Sequence, residues 1–256
     1  MLAGQRDGVR VSPSSAVPSG ATPSFRSLWP TPLGVHRYAE AAGVNPLLVR
    51  VFSALRIAQS QARSQGGDPP PPSAFFASDD DLVDRIRLPE WQGFLRFVVE
   101  SLRDTVKGAN VGVWPAQGLD LRISLDGMWF QMSNGGAFHD VHSHGNCSWS
   151  GVYCVQVDPQ ERRVSHPTYG PANGVTRFFG PRFERLGGAR IDMGNAYLQD
   201  AHLDFDPVPG QLLIFPSWLA HQALPYGGEQ ERVIISFNAS VHAAQGSNQL
   251  HRYAST

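Results

Sequence analysis

The sequence predicts a mainly β protein, an antiparallel sandwich or jelly-roll barrel with helices covering one face. Three observations carry this. From residue 119 onward, LDLRISLDGMWFQMS, SGVYCVQV, GVTRFFG, GQLLIFPS and ERVIISFNAS are short runs rich in β-branched and aromatic residues, set apart by turn residues. No helix-length stretch separates them, so they pair antiparallel rather than through βαβ crossovers. Helical spacing is confined to the residues before 110.

The elements follow in chain order. Residues 1–27 are rich in Ser, Pro and Gly without an apolar run, and read as a disordered tail, with an organelle transit segment as the alternative. LWPTPLGVHRY is an extended entry segment. Asn45-Pro46 reads as a helix start, and LLVRVFSALRIAQSQARS continues it, with Leu47, Val51, Leu55 and Ile57 expected to face a core. GGDPPPP is a stiff linker. SDDDLVDRI opens a second helical region with acidic residues in its first turn, and Pro89 starts a third helix ending near Gly108. The expected layout is a tail (1–27), a helical support region (28–110), a β core (111–240) and a C-terminal tail (241–256). In the last strand Val233, Ile235 and Phe237 point one way and Arg232, Ile234 and Ser236 the other.

With 21 Lys+Arg against 22 Asp+Glu the charge is balanced and no basic block stands out, which argues against a nucleic-acid partner or an anionic membrane surface. No run reaches the roughly 18 to 20 apolar residues of a membrane span. Two cysteines make no disulfide framework, and an intracellular, cytoplasmic setting is expected. No GxSxG elbow and no phosphate loop occurs.

The chemistry concentrates in HDVHSHGNCSWSGVYC, residues 139–154. In a strand, residues i and i+2 share a face, so His142 and His144 can reach one metal ion. His221, at the far end of GQLLIFPSWLAH, is the candidate third ligand. Three protein ligands on one side of an ion leave positions for small molecules. Arg232 opens the final strand after a Gly227-Gly228 turn. An inward guanidinium in an apolar barrel needs an anionic partner: either an internal Asp or Glu, or the carboxylate of a ligand.

These segments resemble a known family. HSHGNCSWSGVYCV, GPR, GQLLIFPSWLAHQALPY and ERVIISFN are similar to the 2-oxoglutarate/Fe(II) oxygenases whose pattern runs HxHP-x-S-x-x-SGVYYV, DPR, G-x-LLLFPSWL-x-H-x-V-P and RISISFN. The resemblance covers roughly residues 119–240. It implies a double-stranded β-helix (jelly roll) with helices on one sheet, and an Fe(II)/2-oxoglutarate-dependent dioxygenase that hydroxylates an unidentified small-molecule or peptidyl substrate with release of succinate and CO2. It implies iron on His142, His144 and His221, and Arg232 holding the distal carboxylate of 2-oxoglutarate with Ser236 and Tyr153 as helpers. Three departures stand out: His144 occupies the usual carboxylate position, Cys154 replaces a tyrosine, and Gly180 replaces an aspartate. Asp140, two residues before His142, is the alternative carboxylate ligand, and His139 reads as a neighbouring polar residue. The connections 158–174 and 182–210 read as lids over the barrel mouth. The alternatives to the oxygenase are a cupin-like three-histidine metalloprotein of other chemistry, and a non-catalytic binding protein with an altered metal site.

Overall fold

The computed structural model describes residues 30–64, 74–114, 121–180 and 202–243, and the fold is that of the unit Pro32–Thr256. The expected N-terminal tail and the GGDPPPP linker lie outside the described residues; of the expected C-terminal tail, residues 241–243 instead extend the last strand along its neighbour, and the remainder lies outside the described residues. Among the described residues ten strands form two sheets. The larger has the order β1-β8-β5-β10-β3-β2 and the smaller β4-β9-β6-β7. The strands are β1 (Gly34–Arg37), β2 (Phe75–Ala77), β3 (Leu121–Ser133), β4 (Ala137–His142), β5 (Trp149–Gln156), β6 (Thr176–Phe179), β7 (His202–Phe205), β8 (Gln211–Pro216), β9 (His221–Tyr226) and β10 (Arg232–Ala243). Every strand pair is antiparallel.

This order identifies a double-stranded β-helix. From β3 to β10 the chain steps between the sheets, so that β8-β5-β10-β3 stands in one and β4-β9-β6-β7 in the other. The connections β4–β5 and β8–β9 lie at one end of the barrel. The connections β3–β4, β5–β6 and β9–β10 lie at the other.

The large sheet has two faces because side chains alternate along each strand. Leu212, Ile214, Tyr153, Val155, Val233, Ile235, Phe237, Met128, Phe130 and Met132 pack outward in one apolar cluster with the helices. α1 (Ala41–Arg63) and α3 (Pro89–Ala109) supply the opposing layer. Val44, Leu48 and Phe52 recur at four-residue spacing on α1, and Trp91, Phe94, Val98, Leu102 and Val106 at three to four on α3; all are buried. Phe52 stacks on Phe130 with ring centroids 4.4 Å apart. Gly151 on β5 sits where a Cβ would lie 2.4 Å from the Phe237 ring, so only glycine lets that ring close over the strand.

The first helix differs from expectation in start and phase. It begins at Ala41, with Pro46 inside it. Asn45 does not cap it: its side-chain amide donates to the Val155 carbonyl at 2.8 Å, and its Oδ1 accepts from the Tyr153 hydroxyl at 2.7 Å. The amides of Gly43 and Val44 are taken instead by the Glu40 carbonyl. This docking turns the buried stripe to Val44, Leu48 and Phe52 and leaves Ile57 exposed. α1 is long and apolar enough by hydropathy to cross a membrane, contrary to the sequence reading. Its apolar face is occupied by the sheet, and Arg56 pairs with Glu231 at 2.6 Å. The second helical region shrinks to one turn, α2 (Leu82–Arg85), held by Asp81 and Arg85. β1, β2 and β7 were not anticipated as strands. Each is four residues or fewer and sits at a sheet edge, where little sequence is needed to specify pairing.

Candidate metal centre

His142 ends β4 and His221 begins β9, and the two residues face one another across the sheet. His144 is two residues beyond β4, its backbone amide donating to the Ser217 carbonyl at 2.8 Å. That bond ties the β4–β5 connection to the β8–β9 turn and carries the third imidazole inward. One ligand atom from each of His142, His144 and His221 lies within 4.8 Å of the other two.

Two of the three rings are prepared to offer a lone pair. The Nδ1–H of His221 donates to the Leu219 carbonyl at 2.9 Å, and that of His142 to the Asp140 carbonyl at 2.7 Å. Committing Nδ1 to a carbonyl leaves Nε2 unprotonated and facing the cluster. The Nε2 atoms of His144 and His221 are 3.3 Å apart. Two nitrogens each about 2.1 Å from a shared ion can span that separation, so the residues fit a metal. Burial is the main cause that pushes the His221 pKa down to about 3 and that of His144 down to about 4, with the neighbouring histidines adding to it. Both are therefore neutral at pH 7, the form a metal requires. Phe178 and Phe215 pack against His221, at ring distances of 5.9 and 4.7 Å, and help bury that ring.

Asp140 is not part of the group. β4 carries register irregularities on both sides of His139, which interrupt the simple alternation from His142. Asp140 is exposed and its carboxylate accepts its neighbour's amide, that of Val141, at 2.7 Å. His139 takes the inward place: its ring meets that of His142 edge-on at 4.1 Å and lies parallel to Phe75 at 6.1 Å. The carboxylate alternative therefore fails at the bulge, a feature that strand periodicity could not reveal.

Arg232 points into the barrel beside Cys154, Thr176 and Gln211 around a small internal cavity. It is 4 % exposed, and its Nε has no hydrogen-bond partner. Burial lowers its pKa. The nearby carboxylates are committed elsewhere: Asp206 to Arg163 at 2.7 Å, and Asp158 to the backbone amides of Glu229 and Gln230. Among the described residues no carboxylate pairs with Arg232. Of the two partners left open by the sequence, the internal one is absent there, and an orphaned buried guanidinium fits an anionic ligand. Ser236 is buried two rungs along the same face, and Trp129, opposite it on β3, reaches the His144 ring at 6.1 Å.

Tyr153 requires a correction. Val152 and Cys154 face the interior, so Tyr153 between them faces the helices, buried against Tyr38, Phe94 and Phe97 with its hydroxyl donating to Asn45. It cannot touch a ligand inside the barrel. Tyr153→Phe is expected to cost about 1–2 kcal/mol, because the Asn45 oxygen loses its donor, while leaving binding inside the barrel unchanged. Urea denaturation beside a ligand titration checks both halves. Cys154 is inert by contrast with Cys147: burial pushes its thiol up to about 11, whereas Cys147 is partly exposed. Iodoacetamide should label Cys147 in the native protein and Cys154 only after denaturation, as read by peptide mass spectrometry.

The 158–174 connection is also corrected. It leaves β5 at the end of the barrel away from the histidines and packs against the β9–β10 turn. Arg163, buried within it, donates to the Asp158, Asn173 and Pro207 carbonyls and to Asp206. It closes the base rather than covering the mouth. Most of the 182–210 connection and Arg182 lie outside the described residues.

Residues 127–238 match the family described as "Putative 2OG-Fe(II) oxygenase". No curated protein matches the chain. Among solved structures it is similar to a Pseudomonas putida prolyl-4-hydroxylase, with 16 % identity over 81 % of this chain and 92 % of that one and a TM-score of 0.45. It is similar also to HygX from Streptomyces hygroscopicus, solved with nickel and 2-oxoglutarate bound, at 12 % identity over 82 % of each chain and a TM-score of 0.49. Another similar structure is a viral collagen prolyl hydroxylase from Paramecium Bursaria Chlorella virus-1, in complex with 2OG, at 9 % identity over 80 % of this chain and 94 % of that one and a TM-score of 0.40. The family match spans the strands that carry all three clustered histidines and Arg232. The part of the β core over residues 127–238 thus matches the 2OG-Fe(II) oxygenase family, an oxidoreductase family, and brings together three histidines that could hold a metal ion.

Proposed function

We propose that the protein is an Fe(II)- and 2-oxoglutarate-dependent dioxygenase that hydroxylates its substrate while the oxo acid is converted to succinate and CO2. The observation that carries this is one juxtaposition: three imidazoles converge at one end of the barrel, and on the interior wall stands a buried guanidinium whose Nε has no partner among the described residues. Iron bound there would supply the oxygen chemistry. His142, His144 and His221 would hold it. Arg232 would grip the distal carboxylate of 2-oxoglutarate through its planar fork, with the Ser236 hydroxyl as a second contact. Phe178, Phe215 and Leu213 exclude water from the interior.

His144 in place of a carboxylate has an electrostatic consequence. Three neutral ligands cancel none of a dication's charge, which favours a dianionic oxo acid as the fourth partner. The protein is expected to take up Fe(II) anaerobically, then 2-oxoglutarate, and to release succinate on admitting air and substrate. Uptake of metal without the oxo acid would turn the reading to another three-histidine metalloprotein. Uptake of neither would leave a binding protein. His144→Asp should retain metal and support succinate release uncoupled from hydroxylation. Loss of metal in that variant would count against ligation at this position.

A further inference from the structure

The register of the small sheet orders the interior from one end to the other. His142 stands opposite His221, His139 opposite Ala223, and Ala137 opposite Tyr226. Tyr226 belongs to the Arg232 end, since both side chains stand over Gly174. His139 therefore occupies the rung between the metal ligands and the guanidinium. Its ring touches one ligand, His142, at 4.1 Å, yet its nitrogens are outside the group of three that could share an ion. The bulge that turns His139 inward also turns a carboxylate, Asp140, outward, exchanging an acceptor for a ring that can present an N–H.

The geometry points to His139 as a further binding residue of this site: an N–H donor to the oxygen atoms at the metal-bound end of the oxo acid, acting between the ion and Arg232. This inference rests on the oxygenase reading above. A ligand that reaches from the histidine cluster to Arg232 must pass the His139 rung, and its metal-bound carboxylate is an anion for which an imidazole N–H is a suitable partner. The Phe75 ring lies parallel to it, with centroids 6.1 Å apart, and limits how the imidazole can tilt.

Two substitutions separate donation from packing. His139→Phe keeps a flat ring against Phe75 and His142 and removes the N–H. His139→Gln keeps an N–H donor and removes the ring. Co(II) titration of each protein measures the metal site alone, and anaerobic titration of 2-oxoglutarate into the Fe(II)-loaded protein, followed by its visible charge-transfer absorption, measures the oxo acid. His139→Phe is expected to bind Co(II) within about twofold of the parent and 2-oxoglutarate about tenfold more weakly, the loss expected for one hydrogen bond to a charged group. His139→Gln should recover much of that affinity. Oxo-acid affinity within twofold of the parent in His139→Phe would overturn the assignment. Parallel loss of Co(II) in both variants would do the same, assigning His139 to support of the metal ligands. If the parent takes up metal but no 2-oxoglutarate, the oxygenase reading itself fails, a result distinct from the other two.

Discussion

His221→Ala is expected to abolish stable metal binding, lowering affinity by more than the roughly 10- to 100-fold that follows loss of a supporting partner around a metal ligand. The reason is structural as much as chemical. His221 is 4 % exposed, its Nδ1 is anchored on Leu219, and its ring is wedged between Phe178 and Phe215, so nothing else can move into its place. His142 and His144 are less buried, and each rides on a connection or a strand end. Two such ligands without the third make a weak chelate. Metal content after gel filtration, with a Co(II) titration, reads the result. Full occupancy in this variant would show that the ion sits elsewhere.

Arg232→Met is expected to move two quantities in opposite directions. Binding of 2-oxoglutarate should fall by about 100-fold or more, since the bidentate partner of its distal carboxylate disappears. Without ligand, the variant should be more stable than the parent by about 1–3 kcal/mol, because a buried charge with no pairing carboxylate among the described residues is replaced by an apolar side chain of similar length. For a domain of this size that is about 2–4 °C in Tm per kcal/mol. Metal binding should be unaffected. A thermal melt of the ligand-free protein and a 2-oxoglutarate titration check both halves. A destabilised variant would mean that Arg232 is paired internally and serves the fold. The opposite signs are the mark of a residue kept for a ligand at the expense of stability.

Much of this was legible in the residues. The alternation in RVIISFN placed Arg232 and Ser236 on one face and Val233, Ile235 and Phe237 on the other, and the barrel obeys it, because period-two patterning leaves a half-buried strand little choice. The same logic, applied to SGVYCV, would have sent Tyr153 to the helix side, since Val152 and Cys154 flank it. Its inclusion among ligand contacts came from the resemblance, which does not say which face a retained residue occupies. His142 and His144 were found by spacing, yet they meet for a different reason than two positions of one strand. His144 lies past the end of β4 and is drawn in by Ser217.

What the amino-acid order by itself determined was the kind of fold, the wall on which Arg232 stands and the identity of three histidines that could meet. Local patterning is enough for these, since hydrophobic alternation and turn residues act over a few positions. The tertiary structure alone decided that Asp140 turns out and His139 in, that Asn45 bonds to the sheet instead of capping its helix, and that Arg232 has no carboxylate partner among the described residues. Each depends on a partner distant in the chain: β9 for the bulge, β5 for Asn45, and the Arg163–Asp206 pair for the missing counter-charge. Such contacts are set only when the sheets close, and no short-range pattern encodes them.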